Sequence, residues 1–321
     1  MLYNLGKTDI KIARIIMGCA QAGGAPFWQS IDDNVSIKAI RVALELGINM
    51  FDTAPMYGDG HSEHTLGLAL KEVRHHVVIA TKVSPQDLHY QGVLDSCENS
   101  LKNLKTDYID LLQVHLPAGT FGTALVAIEE TLSAFDRLKN DGKIRAIGVS
   151  NFSVKQLEEA LEVTEIASVQ PPYSLFWKHS ADKLTPFCMK NNISILAYAP
   201  LAQGLLTGRY TRENFFPDTE LRSKQVLCEP QHYERVQFAL DALRPIANAN
   251  SMTLSQLAIS WLINQPETFA VVGVRTEQQV HENMKSFNCK LTNDDLKRIS
   301  EIGDIVALPL QLESFIWHLS T

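Results

Sequence analysis

The chain has 321 residues, 45% hydrophobic and 20% charged, with a formal net charge of −7. That composition supplies a full apolar core, and an acidic chain without runs of Lys and Arg excludes nucleic acid as an expected partner, because phosphate-backbone binding needs clustered positive charge. Five scattered cysteines (Cys19, Cys97, Cys188, Cys228, Cys289) form no Cys-x-x-Cys pair, so neither a disulfide framework nor a zinc site is expected and a reducing compartment fits.

In chain order, the opening Met1-Leu2-Tyr3-Asn4-Leu5-Gly6-Lys7 lacks the basic start and apolar run of a signal peptide. Residues 2–12 read as a small hairpin around Gly6-Lys7-Thr8-Asp9. Eight short apolar runs then end abruptly at a polar residue or glycine: 14–18, 48–52, 77–82, 108–115, 144–150, 167–170, 193–198 and 269–273. Amphipathic runs separate them; the second half of 32–46 is clearly helical, with Asp or Asn available as an N-cap and Gly47 just past its end, and 153–163 and 254–264 behave similarly. Strands alternating with helices predict a parallel sheet. Eight such units predict a single (β/α)8 TIM barrel domain over 1–321, with extra helices and loops. The open doubly wound sheet competes, but its Gly-x-Gly-x-x-Gly turn is matched only at the ends of Gly18-Cys19-Ala20-Gln21-Ala22-Gly23. The least charged stretch, 111–128, carries Gln113, His115, Pro117 and two glycines, so no membrane span is expected and the protein reads as cytoplasmic. A long irregular loop is expected over 209–230, and the tail after Gly303 carries Phe315 and Trp317.

In a barrel, chemistry collects at the C-terminal ends of the strands. Here the second strand ends at Asp52, the third at Lys82 and the fourth at His115, with Tyr57 in the loop after Asp52. The later strands run into Ser150-Asn151, Gln170, Tyr198 and Gly273-Val274-Arg275. Taken singly, each has a structural explanation, because a strand-end Asp usually caps a turn, a Lys is usually a surface charge and a His is usually satisfied locally. The coincidence on three consecutive strands is what points to a site. Burying one charge alone is costly, so an Asp52–Lys82 pair is expected. A free phenol titrates near about 10, too high for efficient acid–base work. Lys82 is expected to lower the Tyr57 pKa, with Asp52 holding Lys82 charged and His115 bonding the substrate oxygen.

The stretch Gly47-Ile48-Asn49-Met50-Phe51-Asp52-Thr53-Ala54-Pro55-Met56-Tyr57-Gly58, continuing to Ser62-Glu63 and Leu66-Gly67, resembles the signature of the aldo-keto reductases. Similar blocks lie at 142–152, at 198–208 and at 273–279 with Glu282-Asn283, so the likeness runs from about Leu5 to beyond Asn283. The resemblance implies a catalytic tetrad of Asp52, Tyr57, Lys82 and His115, and NADPH/NADP+ bound extended across the barrel mouth. It implies Ser150, Asn151 and Gln170 on the nicotinamide amide, Tyr198 stacked on the ring, and Leu201, Gln203 and Gly204 near the pyrophosphate. Arg275, Gln279 and Asn283 would hold the adenosine end; a guanidinium at a helix start suits a 2′-phosphate, and hence NADPH over NADH. Where relatives read Gln-x-x-Tyr-Asn, this chain has Gln170-Pro171-Pro172-Tyr173-Ser174.

The implied reaction is reduction of a small aldehyde or ketone, with no metal. Trp28, Met56, Phe121 and Trp177 are candidates for the substrate pocket, as are Phe27, Phe176 and Trp317. The loop after His115 is apolar and offers no charge for an anionic substrate. Two other readings stay open: a nicotinamide-binding regulatory subunit of the kind some relatives form with ion channels, and a Schiff-base lyase using Lys82. The histidines show no His-x-His at a strand end, which leaves a metal-dependent hydrolase weaker still.

Overall fold

Asn49 ties the N-terminal hairpin to the strand that follows it. Its side-chain oxygen accepts from Ala13 N at 2.9 Å and its amide donates to Lys11 O at 2.7 Å, while its backbone oxygen accepts from Val78 N at 2.7 Å. The strand after it begins at Met50 rather than at Ile48. The computed structural model describes residues 1–24, 28, 32–211, 215–216, 221–311 and 313; Phe27, Phe315, Trp317 and part of the 209–230 loop lie outside them.

The hairpin pairs β1 (Tyr3–Asn4) with β2 (Lys11–Ile12). Eight parallel strands follow: β3 (Ile15–Gly18), β4 (Met50–Asp52), β5 (Val78–Val83), β6 (Ile109–Val114), β7 (Ile144–Ser150), β8 (Ser168–Gln170), β9 (Ser194–Ala197) and β10 (Thr268–Gly273). They close as a barrel in chain order, with β10 pairing β3. The (β/α)8 architecture is therefore as expected, and the expected strands differ only by a residue or two at their ends. His115 and Tyr198 fall just beyond β6 and β9 but stay tethered, His115 N to Val83 O at 3.0 Å and Tyr198 N to Pro171 O at 3.0 Å.

Around the barrel run α1 (Asp33–Glu45), α2 (His61–Leu70), α3 (Tyr90–Leu104), α4 (Ile128–Asn140), α5 (Val154–Val163), α6 (His179–Asn191), α7 (Pro230–Ala249), α8 (Leu254–Ile263), α9 (Glu277–Met284) and α10 (Asn293–Ala307). Their starts obey the capping rules: Asp32 accepts from Asn34 N, and Ser153–Gln156 and Thr253–Gln256 form capping boxes. Gly47 leaves α1 at φ 94°, a left-handed turn that suits glycine. Among the described residues no helix is long and apolar enough to cross a membrane.

Strand side chains alternate in direction. Ile16, Met50, Val78, Ala80, Leu111, Ala146, Leu196, Phe269 and Val271 form the barrel's interior core, and Leu5, Ile10 and Ile12 of the hairpin close its lower end. The residues between them pack outward against the helices. The interior is apolar below and turns polar toward the upper end, where the same inward rows reach Asp52, Lys82 and Gln113.

One buried carboxylate braces the outer wall. Asp110, fully buried, accepts from Arg74 Nη2 at 2.8 Å, Arg145 Nη1 at 2.7 Å and Ile79 N at 2.9 Å. Asp110→Asn keeps the shape and removes the charge that two guanidinium groups share. Because Arg145 is half-exposed, the loss falls toward the lower end for a broken buried pair, about 3 kcal/mol in chemical denaturation; a loss below about 1 kcal/mol would contradict this role.

Candidate active site

Strand register brings the upper ends of β4, β5 and β6 side by side, with Asp52 opposite Ala80 and Lys82 opposite Gln113. Lys82 Nζ, fully buried, lies 2.6 Å from Asp52 Oδ1 and donates to Thr53 O at 2.8 Å. It also stands 5.1 Å from the centroid of the Tyr57 ring. The His115 ring meets Tyr57 edge-on, with centroids 5.9 Å apart. The expected quartet thus assembles at one point.

The loop that presents Tyr57 is held from both sides. Ser62 Oγ donates to Cys19 O at 2.7 Å and lies 2.8 Å from Thr53 Oγ1, while Glu63 accepts from Thr81 Oγ1 at 2.7 Å beside Lys82. Gly23 packs so closely that a Cβ there would fall 2.5 Å from the Tyr57 carbonyl carbon, and one at Gly58 would fall 2.0 Å from Gly23 O. Two missing side chains are what let this loop lie against the turn after β3.

Electrostatics depart from expectation at Tyr57. Burial pushes its phenol above the ordinary tyrosine value; Lys82 pulls it down, but by less, and Asp52 adds to the rise. The expected lowering by Lys82 is present as a contribution and is outweighed. Lys82 itself is pulled down by burial, yet the Asp52 charge and Tyr57 carry it above its ordinary value, so it stays an ammonium. His115 is pushed well below the usual histidine range by burial and then by Lys82. Cys19 beside the pair is pushed up by burial and by Asp52, which keeps its thiol unreactive.

Asp52, Tyr57 and His115 open onto a cavity of about 670 Å³. Its walls include every residue assigned to the cofactor: Ser150, Asn151, Gln170, Tyr198, Leu201, Gln203, Gly204, Arg275, Gln279 and Asn283. Tyr198 OH donates to Asn151 Oδ1 at 2.9 Å, and Asn151 Nδ2 donates to His115 O at 3.1 Å and Ser150 Oγ at 2.9 Å. Arg275 N donates to Gln279 Oε1 at 2.7 Å at the start of α9. A dinucleotide fits such a groove: amide and hydroxyl groups at one end, an aromatic ring between, and a guanidinium at a helix start at the other. His115 Nδ1 is shut away from the cavity and has no hydrogen-bond partner among the described residues.

Of the proposed pocket residues, Trp28, Met56 and Phe121 line this cavity and Trp177 does not. Trp177 is 1% exposed; a tight turn in which Ser174 and Trp177 exchange backbone hydrogen bonds carries it into the core, with its ring against His179. Phe176 is likewise core. Ser174, which stands where relatives carry Asn, is buried without a side-chain hydrogen bond and lies away from the cavity.

Sequence reasoning missed several groups. Arg209, Tyr210 and Arg222 line the cavity from the irregular segment after β9, where no periodicity aims a side chain; Arg222 lies 5.5 Å from the Trp28 ring and donates to Tyr210 OH at 3.0 Å. The loop after His115 adds no charge, but these two arginines bring charge from the other side. Gln113 lies within its strand rather than at the end of it; its signal in the sequence is its place on the inward face two residues before His115.

Comparison with known proteins agrees with this geometry. The profile of the aldo/keto reductase family matches residues 14–304. An aldo-keto reductase of Bacillus subtilis is 36% identical, over 93% of this chain and 92% of its own length. An NADH-specific methylglyoxal reductase of Escherichia coli is 30% identical, over 94% of this chain and 97% of its own. Among solved structures, a glycerol dehydrogenase of Gluconobacter oxydans superposes with a TM-score of 0.86 at 32% identity, covering 94% of this chain and 95% of its own.

Because His115 is held neutral by burial and by Lys82, its imidazole NMR shifts should remain those of the uncharged ring as the pH falls through 6.5, the ordinary histidine midpoint. A midpoint at or above 6.5 would contradict the arrangement.

Proposed function

The chain belongs to the aldo/keto reductase family, and from that premise we propose that it reduces the carbonyl of a small aldehyde or ketone with NADPH, Tyr57 giving the proton. The observation that carries this reading is the contact of one buried ammonium, Lys82, with both the Asp52 carboxylate and the Tyr57 ring. The bound nicotinamide would supply a hydride to the carbonyl carbon. The chain's own residues handle the proton and the charge.

Tyr57, with its phenol raised by burial, is protonated at neutral pH and so holds a transferable proton at its hydroxyl. Losing it leaves a phenolate beside the Lys82 ammonium, and once cofactor and substrate displace water from the cavity that attraction would be stronger than in solution. Asp52 keeps Lys82 charged and aimed. Neutral His115 can hydrogen-bond the substrate oxygen without adding a competing charge. Trp28, Met56 and Phe121 give the mouth an apolar lining suited to a small carbonyl compound.

The reading makes Tyr57→Phe decisive, since it removes only the hydroxyl. The variant should bind NADPH nearly as well as the parent while kcat falls by about two to four orders of magnitude, the scale of general acid catalysis. Aldehyde reduction at the parental rate would show that the proton comes from elsewhere. A parent chain that binds NADPH yet turns over no member of an aldehyde panel would favour the regulatory-subunit reading instead.

Cofactor choice rests on Arg275 at the start of α9, because a relative 30% identical is NADH-specific and membership alone does not decide it. If Arg275 pairs with the 2′-phosphate, Arg275→Ala should raise KM for NADPH roughly tenfold to a hundredfold and leave KM for NADH nearly unchanged, as expected for one charge-assisted contact. Equal effects on both would exclude that pairing.

A further inference from the structure

Gln113 on β6 belongs neither to the tetrad nor to the cofactor groove, and its side chain is fully buried. Its Nε2 donates to Asp52 Oδ2 at 3.2 Å. Gln170 Nε2, from β8, donates to the same oxygen at 2.9 Å and lies 3.5 Å from Gln113 Oε1. The other carboxylate oxygen, Oδ1, takes Lys82. Register sets Lys82, Gln113, Gly148 and Ser168 in one row across β5 to β8. Gly148 makes the crossing possible: a Cβ there would lie 3.0 Å from Gln113 Cγ and 2.6 Å from Ser168 Oγ.

We propose that Gln113 is a positioning residue for proton transfer, holding Asp52 as the carboxylate that keeps Lys82 charged beside Tyr57 and fixing which way the Gln170 amide faces. The inference rests on the reading of Tyr57 as proton donor. A buried carboxylate oxygen that loses a hydrogen-bond donor favours its protonated form. The proton at hand is on Lys82, 2.6 Å from the other oxygen. Transfer within the pair would leave a neutral amine and acid, and Tyr57 would lose the cation that draws its proton off. The groups acting on Tyr57 are Lys82 from β5, Asp52 from β4, Cys19 after β3, His115 after β6 and Tyr198 after β9. Lys82 is the one lysine or arginine among them, so whatever holds its charge keeps the pull that draws the phenol down against burial. Because both Gln170 amide hydrogens are directed to Asp52 and Gln113, its side-chain oxygen is what remains to meet a ligand.

Gln113→Met keeps length and volume while removing both donor and acceptor, and Gln113→Leu serves if the first variant does not fold. Two readouts decide. The kcat for alcohol oxidation, which follows the unprotonated phenol, should rise with pH later than in the parent chain, with about tenfold less activity below the limb for each unit of displacement. Ultraviolet titration of the full chain without cofactor, as the difference from Tyr57→Phe, should show the phenol shifted the same way. Folded variants whose profile and titration superimpose on the parent's would overturn the role of Gln113. A parent chain without turnover would sink the proposed reduction instead, and the titration would still decide the role of Gln113.

Discussion

Lys82 and Asp52 form a 2.6 Å ion pair shut away from water, and the upper end of the barrel is arranged to satisfy it. Such a pair is stable only when its remaining hydrogen-bonding capacity is met. Thr53 O takes a second lysine hydrogen, while Gln113 and Gln170 cover the second carboxylate oxygen. The partners come from four barrel strands or their ends, so the full set of bonds to the pair exists only in the closed barrel. The Tyr57 loop is then fitted over the pair by Ser62 and by the glycine contact between residues 23 and 58.

The interior divides by height. Below, apolar side chains and the hairpin make a dry core that contributes stability. Above, polar side chains occupy the same inward rows, and the burial of Asp52, Lys82, Gln113 and Gln170 is tolerated because they bond to one another. The chain of contacts from Tyr198 through Asn151 to the His115 backbone ties the far wall of the cavity to the end where the tetrad sits.

Much of this was legible in the sequence, and the limits have physical causes. Alternation located the barrel strands within a residue or two, and helical spacing located α1, α5 and α8. Polar residues ending apolar runs named Asp52, Lys82 and His115, because a charge beside a buried run needs a partner. Trp177 misled, since an aromatic residue near the mouth reads alike whether a turn points it into the cavity or into the core. The net direction of the Tyr57 phenol also escaped the sequence: it depends on the balance of burial against Lys82, and burial is a property of the packed loop. Arg209 and Arg222 reach the cavity from a segment without periodicity, and Gln113 matters through a contact across the barrel that no single strand reveals.

The central claim is that Asp52 and Lys82 act on Tyr57 as one unit, and a double-mutant cycle on aldehyde reduction tests it most directly. Asp52→Asn and Lys82→Met should each lower kcat severely, and the double variant should lose little more than Lys82→Met alone, because the carboxylate acts through the ammonium. If the two losses instead multiply, Asp52 and Lys82 act independently and the account built on their pairing is wrong.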